Sequence, residues 1–437
     1  MPVAQLSSED ATRTFDEVVL GYTREEATRE AQRALGFDLQ SARQACPFGI
    51  DIGGFVSSIA AGDFDQALGT IKAANPWPGI LGRHCQRMCE GARHLPDDVQ
   101  TPFISALERA AADHGKRELY PFQPGPPTGK RVAVAGAGSA GCAVVYRLRE
   151  LGHAVALYDQ LPVPGGMMFS GYPNFRLPLW LLRTEIDPEG WGAEPHYNTP
   201  LSEQLLLQLV NEYDAVVLTT GKFKEIRMNI PGEDLDGVWD ALRFLTEFKL
   251  GNNPKVGQRV VVCGAGYTAQ DASRTCRRLG CDVQILYRRG KEEMPVDAML
   301  RELFVSRQAA EGAPYVFQTT LVRVLGEHGK VTGIECVRTE PGPPDETGRP
   351  TAVPVPGSNF TLACDMVIEA TGEVVDLSYL PEDVRVENGH VWVDRDTWMT
   401  TLPKLFASGE MVGLKTTVSA FASGLETAQA VDRYLRA

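Results

Sequence analysis

An apolar run that breaks into a glycine-rich turn and continues as a helix occurs twice in this chain, and this repeat restricts the fold more than any other feature. Arg131–Ala135 leads into Gly136-Ala137-Gly138-Ser139-Ala140-Gly141, and Arg259–Cys263 leads into Gly264-Ala265-Gly266-Tyr267-Thr268-Ala269. Each copy then reads as a helix closed by Leu-Gly, with that Gly sixteen positions after the first motif Gly, at Gly152 and Gly280. A second strand follows each time, Ala154–Tyr158 and Val283–Tyr287. A strand, a tight glycine turn and a helix N-terminus together cradle a pyrophosphate. The first Gly makes the turn, the second lets the backbone approach the phosphates, and the third position keeps helix and strand close. The repeat therefore predicts two dinucleotide sites in an α/β fold.

The residues that close the second strands differ, and the difference assigns the ligands. Asp159 ends the first and can accept hydrogen bonds from ribose hydroxyls, which suits an adenosine without a 2′-phosphate, as in FAD. Arg288 and Arg289 end the second and can clamp a 2′-phosphate, which favours NADP, with NAD as the alternative. Small, flexible backbone that could lie against a flavin ring occurs at Gly165-Gly166-Met167-Met168 and Gly171-Tyr172-Pro173. Buried strands ending in Gly are expected at 213–221, 367–372 and 405–409, which adds Gly221, Gly372 and Gly409 as cofactor contacts, with Glu410 beside the last. Thr417 and Val418 open a terminal helix.

Upstream, Tyr22 to about Ala112 reads as short helices, Glu25–Leu35, Ile52–Ala60, Asp63–Ala74 and Pro102–Ala112, broken by Gly and Pro. Irregular loops between them carry Cys46, Cys85 and Cys89. The stretch Pro121-Phe122-Gln123-Pro124-Gly125-Pro126-Pro127 marks a boundary. A chain of 437 residues has room for about three domains. A net charge of −13 leaves no global positive field for nucleic acid or acidic membranes. No apolar run approaches the length of a membrane span, and Met1–Glu17 lacks the pattern of a signal peptide. Nine cysteines without a paired framework point to a reducing compartment or to metal work, so a cytoplasmic location is expected.

The chain resembles the small-subunit family of glutamate synthase, shared with the N-terminal half of dihydropyrimidine dehydrogenase and the large subunit of NADH-dependent ferredoxin:NADP oxidoreductase. The strings that carry the resemblance are Asn75-Pro76-Trp77-Pro78 with Gly82-Arg83, the two glycine motifs, Ile230-Pro231-Gly232-Glu233, and Tyr287-Arg288-Arg289 with Glu293-Met294-Pro295. It implies two Rossmann-like domains, with the NAD(P) domain inserted into a split FAD domain, behind a helical iron–sulfur domain. The expected spans are 1–120 for the helical domain, 128–249 and 365–437 for the FAD domain, and 250–364 for the NAD(P) domain. Glu410 stands where the family has an Asp that bonds the flavin's ribityl chain.

The family's N-terminal domain holds two [4Fe–4S] clusters on seven cysteines. Four of the matching positions here, Ala34, Phe37, Ala42 and Arg93, are not cysteine. All four belong in the relatives to one cluster; the other keeps Cys46, Cys85 and Cys89, with Glu108 at the place of its carboxylate or amide ligand. The resemblance thus implies a single retained cluster on Cys46, Cys85, Cys89 and Glu108. The expected activity is electron transfer between NAD(P)(H) and an iron–sulfur or ferredoxin-like partner subunit, through FAD and that cluster. No side chain is expected to act as acid, base or nucleophile, because the chemistry belongs to the cofactors. The alternatives are a glutamate synthase small subunit, a non-catalytic docking subunit, and a flavin disulfide reductase; Cys276 and Cys281, a C-x4-C pair that could serve the last, are read as packing residues.

Overall fold

The computed structural model describes residues 1–91, 103–296, 298, 301–345 and 348–437. The positions of Arg93 and Pro102 lie outside the described residues. Among those described, no helix is long and apolar enough to cross a membrane.

The N-terminal third is helical: α1 (Arg24–Ala34), α2 (Leu39–Ala45), α3 (Ile52–Ala60), α4 (Phe64–Lys72), α5 (Pro78–His84), α6 (Met88–Gly91) and α7 (Ile104–His114). Local chemistry sets most of the starts. Thr23 and Glu26 form a reciprocal capping box, Asp38, Asp51 and Asp63 cap the next three helices, and Pro78 occupies the first turn of α5. Two of the positions where the resemblance expects lost cysteines, Ala34 and Ala42, are fully buried in the core of this domain. The third, Phe37, lies beneath the Arg33 guanidinium.

Two five-stranded parallel sheets follow. The first uses β1 (Arg131–Ala135), then α8 (Ser139–Glu150), β2 (Ala154–Tyr158), β3 (Glu194–His196) and β4 (Ala215–Leu218). The second uses β5 (Val238–Asp240), β6 (Arg259–Cys263), then α9 (Tyr267–Arg278), β7 (Asp282–Leu286), β8 (Tyr315–Val316) and β9 (Met366–Glu369). The chain then returns to the first sheet with β10 (Leu405–Ala407) and ends in α10 (Thr417–Arg436). The strand orders are β10-β4-β1-β2-β3 and β8-β7-β6-β9-β5, the same plan twice. An antiparallel meander, Thr319–Glu327, Lys330–Pro344 and Phe360–Leu362, covers one face of the second sheet.

The expected domain edges need correction. Met366–Glu369 pairs with β6 on one side and with Val238–Asp240 on the other, so the second sheet draws on residues 238 to 369, not 250 to 364. Gly372, expected beside a flavin, therefore follows a strand of the second sheet. Strand pairing decides such borders, and both segments read equally well as buried strands of either sheet.

Among the contacts between the helical domain and the first sheet's domain, two hold the start of α5. Trp77, fully buried, stacks on Phe421 of α10 with ring centroids 4.2 Å apart. The Glu185 carboxylate accepts hydrogen bonds of 2.8 Å from both Gly79 and Ile80 N–H, capping α5 from outside its own domain.

Candidate functional site

In both repeats the first motif glycine is bonded the same way: Gly136 N–H donates to Tyr158 C=O at 2.7 Å, and Gly264 N–H to Leu286 C=O at 2.9 Å. Gly136 has φ +112, and a Cβ there would lie 2.3 Å from Thr219 C=O, so only glycine fits. The helices begin at Gly138 and Gly266 with no side chain capping them. The first-turn amides, at Ser139, Ala140 and Gly141 in one copy and Tyr267 and Thr268 in the other, have no side-chain acceptor and suit a phosphate.

The first site gathers most of its expected residues. Asp159 accepts from Ala137 N–H at 2.6 Å and from Leu161 N–H at 2.7 Å, so its carboxylate is held against the glycine turn. Burial raises its pKa, and those two amides oppose the rise. Gly166, with φ +51, packs so closely on Gly138 that a Cβ would fall 2.5 Å from the Gly138 Cα, and Met167 opens the short helix beyond. Gly409 packs on Ala140. Gly221 and Glu410 follow β4 and β10, which are neighbours in the sheet, so both lie at the C-terminal edge where an open α/β sheet takes its ligand. The Glu410 carboxylate is 2.6 Å from the ammonium of Lys222, a residue that the sequence reading did not single out.

At the second site, Gly264 abuts Ala370 C=O, and Pro295 lies over Gly266. Of the two arginines, Arg289 is buried and already committed. Its guanidinium donates to Asp345 Oδ2 at 2.5 Å and to Pro350 C=O at 2.6 Å, tying the end of β7 to the strand Pro350–Pro354, which pairs with Lys330–Pro344. Arg288 is exposed and is the one left for a phosphate. Gly372, φ +117, ends the loop after β9 at the same edge. Cys276 and Cys281 are both buried in the core of this domain.

The third site is a small cavity in the helical domain. Cys46, Cys85, Cys89 and Glu108 all line it, with Ile52, Phe55, Leu81 and Val418 among its apolar walls. Val418 belongs to α10, so the cavity is closed on one side by the helix that starts at the first nucleotide site. Burial, with the nearby carboxylates, pushes Cys85 up to about 12 and Cys89 higher still; burial raises Cys46 and lifts Glu108 to about 8, against a 2.7 Å hydrogen bond from Asn75 Nδ2. Three thiols and a carboxyl thus share a largely apolar pocket that disfavours their anionic forms unless a positive centre joins them. Arg87 has φ +58, a conformation costing on the order of 1 kcal/mol, and its N–H points at Cys85 Sγ at 3.4 Å. Among the described residues, no three His, Cys, Asp or Glu side chains converge on one ion-sized point. A four-iron cluster takes one donor per iron at its corners, and three thiols with one carboxyl are a donor set of that kind.

Comparison with known proteins agrees with this architecture. Residues 203–427 match the pyridine nucleotide-disulphide oxidoreductase family, residues 134–179 the NAD(P)-binding Rossmann-like domain, and residues 11–119 the dihydropyrimidine dehydrogenase domain II, 4Fe-4S cluster, family. The chain is 34% identical to the NADP(+)-dependent formate dehydrogenase subunit beta of Moorella thermoacetica over 96% of its own length and 64% of the relative's. It is 35% identical to the NADPH-Fe(3+) oxidoreductase subunit beta of Geobacter sulfurreducens, covering 86% of this chain and 57% of that one. It thus spans under two thirds of both relatives. With the glutamate synthase [NADPH] small chain of Escherichia coli, identity is 32% over 96% of this chain and 94% of the relative. The solved structure of Mycobacterium tuberculosis FprA in complex with NADPH shares the fold at a TM-score of 0.56, with 20% identity over 70% of this chain and 84% of that one.

Proposed function

This chain belongs to the pyridine nucleotide-disulphide oxidoreductases of the glutamate synthase small-chain type, and from that premise we propose that it is the NADPH-facing electron-transfer subunit of a larger oxidoreductase. It is an NAD(P)-dependent, flavin-type oxidoreductase with an N-terminal domain of the 4Fe-4S cluster family. In our reading FAD lies in the first site. Its pyrophosphate rests on the α8 N-terminus, with Asp159 toward the ribose and Gly166, Met167, Gly221, Gly409, Glu410, Thr417 and Val418 around the rest. NADP lies in the second, on Gly264, Gly266, Tyr267 and Thr268, with Arg288 toward the 2′-phosphate. Cys46, Cys85, Cys89 and Glu108 hold one [4Fe–4S] cluster.

A flavin bound there would supply hydride chemistry toward the nicotinamide and one-electron chemistry toward a cluster. The protein's residues bind, orient and exclude water. The helix N-termini and amides neutralise phosphate charge, and the apolar walls of the thiol cavity keep the cluster dry. The observation that carries this reading is that the four expected cluster ligands line one cavity, which Val418 of α10 also walls, while Ser423 of the same helix accepts from Gly409 N–H, beside the proposed flavin site. Two names among the relatives, a formate dehydrogenase subunit beta and an NADPH-Fe(3+) oxidoreductase subunit beta, support assignment to a complex. The partner's chemistry follows from the single cluster: an iron–sulfur or ferredoxin-like subunit that accepts one electron at a time. Nine free cysteines support a cytoplasmic location.

The test is anaerobic purification with cofactor analysis. The expected result is FAD with about four irons per flavin and flavin reduction by NADPH. Flavin with background iron overturns the cluster, and a colourless protein that takes up no flavin overturns the whole reading.

A further inference from the structure

His84 and Tyr172 belong to different domains and meet face to face, with ring centroids 4.4 Å apart and planes 17° from parallel. Each ring is also tied at its far end. His84 Nε2 lies 3.2 Å from Arg176 C=O; a carbonyl only accepts, so this nitrogen carries the proton. Tyr172 Oη lies 2.9 Å from Thr417 Oγ1, in the first turn of α10. His84 is the last residue of α5 and precedes Cys85, while Thr417 precedes Val418; both Cys85 and Val418 line the thiol cavity. The backbone of Tyr172 is held in turn from the second domain, where Lys249 Nζ donates to its carbonyl at 2.6 Å. The stacked pair is thus a brace between the loop that carries Cys85 and the helix end at the first nucleotide site.

We propose that His84 and Tyr172 are positioning residues that fix the cluster-bearing loop relative to the flavin-facing end of α10. This rests on the function proposed above and adds to it the residues that set the spacing of its two centres. Neither ring need be oxidised or reduced. Stacking fixes the loop laterally, and the hydroxyl bond to Thr417 fixes it along the helix. Electron transfer and cluster environment both depend on that placement.

The experiment uses the full-length protein purified anaerobically, with iron and flavin content measured first. Wild type, His84→Ala, His84→Phe, Tyr172→Ala and Tyr172→Phe are compared by stopped-flow reduction with NADPH and by low-temperature EPR of the reduced cluster. In His84→Ala we expect flavin reduction at the wild-type rate, and in both alanine variants cluster reduction slowed roughly tenfold or more relative to flavin reduction, with a shifted EPR spectrum. The double alanine variant should lose no more than either single one, because both remove one contact. His84→Phe keeps the stack and should recover most of the rate; Tyr172→Phe, which loses only the hydroxyl, should fall between. Equal rates and unchanged spectra in the alanine variants overturn the proposal, as does a His84→Phe variant as slow as His84→Ala. If an alanine variant loses its iron, the two phenylalanine variants decide by the same rates and spectra. Wild type without iron is a separate outcome that overturns the cluster reading and this inference with it.

Discussion

The Lys222 ammonium lies 2.6 Å from the Glu410 carboxylate, across the C-terminal ends of two adjacent parallel strands. Lys222 is 29% exposed and Glu410 17%, so the pair is only partly screened by water. As a pair the two charges cancel; removing either leaves a net charge at the proposed flavin site. We expect Lys222→Met, which leaves the carboxylate, to lower the flavin midpoint potential, and Glu410→Gln, which leaves the ammonium, to raise it. Each shift should be on the order of 30 mV, equivalent to ~1.4 kcal/mol for a two-electron couple. Spectroelectrochemical titration checks this. Shifts of the same sign would show that neither charge reaches the flavin.

The two arginines after β7 should separate cleanly on substitution. Arg288→Ala is expected to raise KM for NADPH roughly tenfold, the effect of one charge-assisted hydrogen bond, and to leave NADH unaffected. Arg289→Ala instead releases Asp345 and the Pro350 carbonyl, so its loss should appear as ~1–3 kcal/mol of stability. Steady-state kinetics with both nucleotides and thermal melts distinguish these outcomes.

Loss of one thiol should remove the cluster without disturbing the nucleotide sites. Cys89→Ala is expected to retain FAD and NADPH-dependent flavin reduction while iron falls to background. Iron assay and visible spectra of the same sample measure both. Iron retained at wild-type level would exclude Cys89 as a ligand.

Stability should fall as pH rises from weakly acid to weakly alkaline, and Glu369 is one source. It is 6% exposed at the end of β9, and burial, with Glu233 beside it, lifts its pKa to about 8. The folded state therefore holds a proton that the unfolded chain releases near 4.5. Between those values the native state binds more protons, so this contribution is complete below about 4.5 and is lost as pH rises through about 8. Glu369→Gln should flatten the decline in Tm between pH 6 and 9. A parallel decline in the variant would assign it to other groups.

Much of the chemistry was legible before any coordinates. The glycine turns are recognisable within about thirty residues, strand to turn to helix, although the backbone that demands glycine at Gly136 and Gly264, at Thr219 and Ala370, lies far along the chain. The capping aspartates of the helical domain are local. The four residues proposed to hold the cluster came from a resemblance, and the fold brings them to one cavity although Cys46 and Glu108 are far apart in the chain.

What the sequence by itself determined is the pair of dinucleotide turns, the charge at the end of each second strand, and the thiols and carboxyl available to a cluster. Tertiary structure alone decided the rest. It gave β5 and β9 to the second sheet, bound Arg289 to Asp345, paired Lys222 with Glu410, and set Val418 beside the cysteines. The physical reason is range: a turn motif or cap is legible from neighbours a few positions away, whereas strand partners, buried ion pairs and stacked rings depend on which distant surfaces exclude water together.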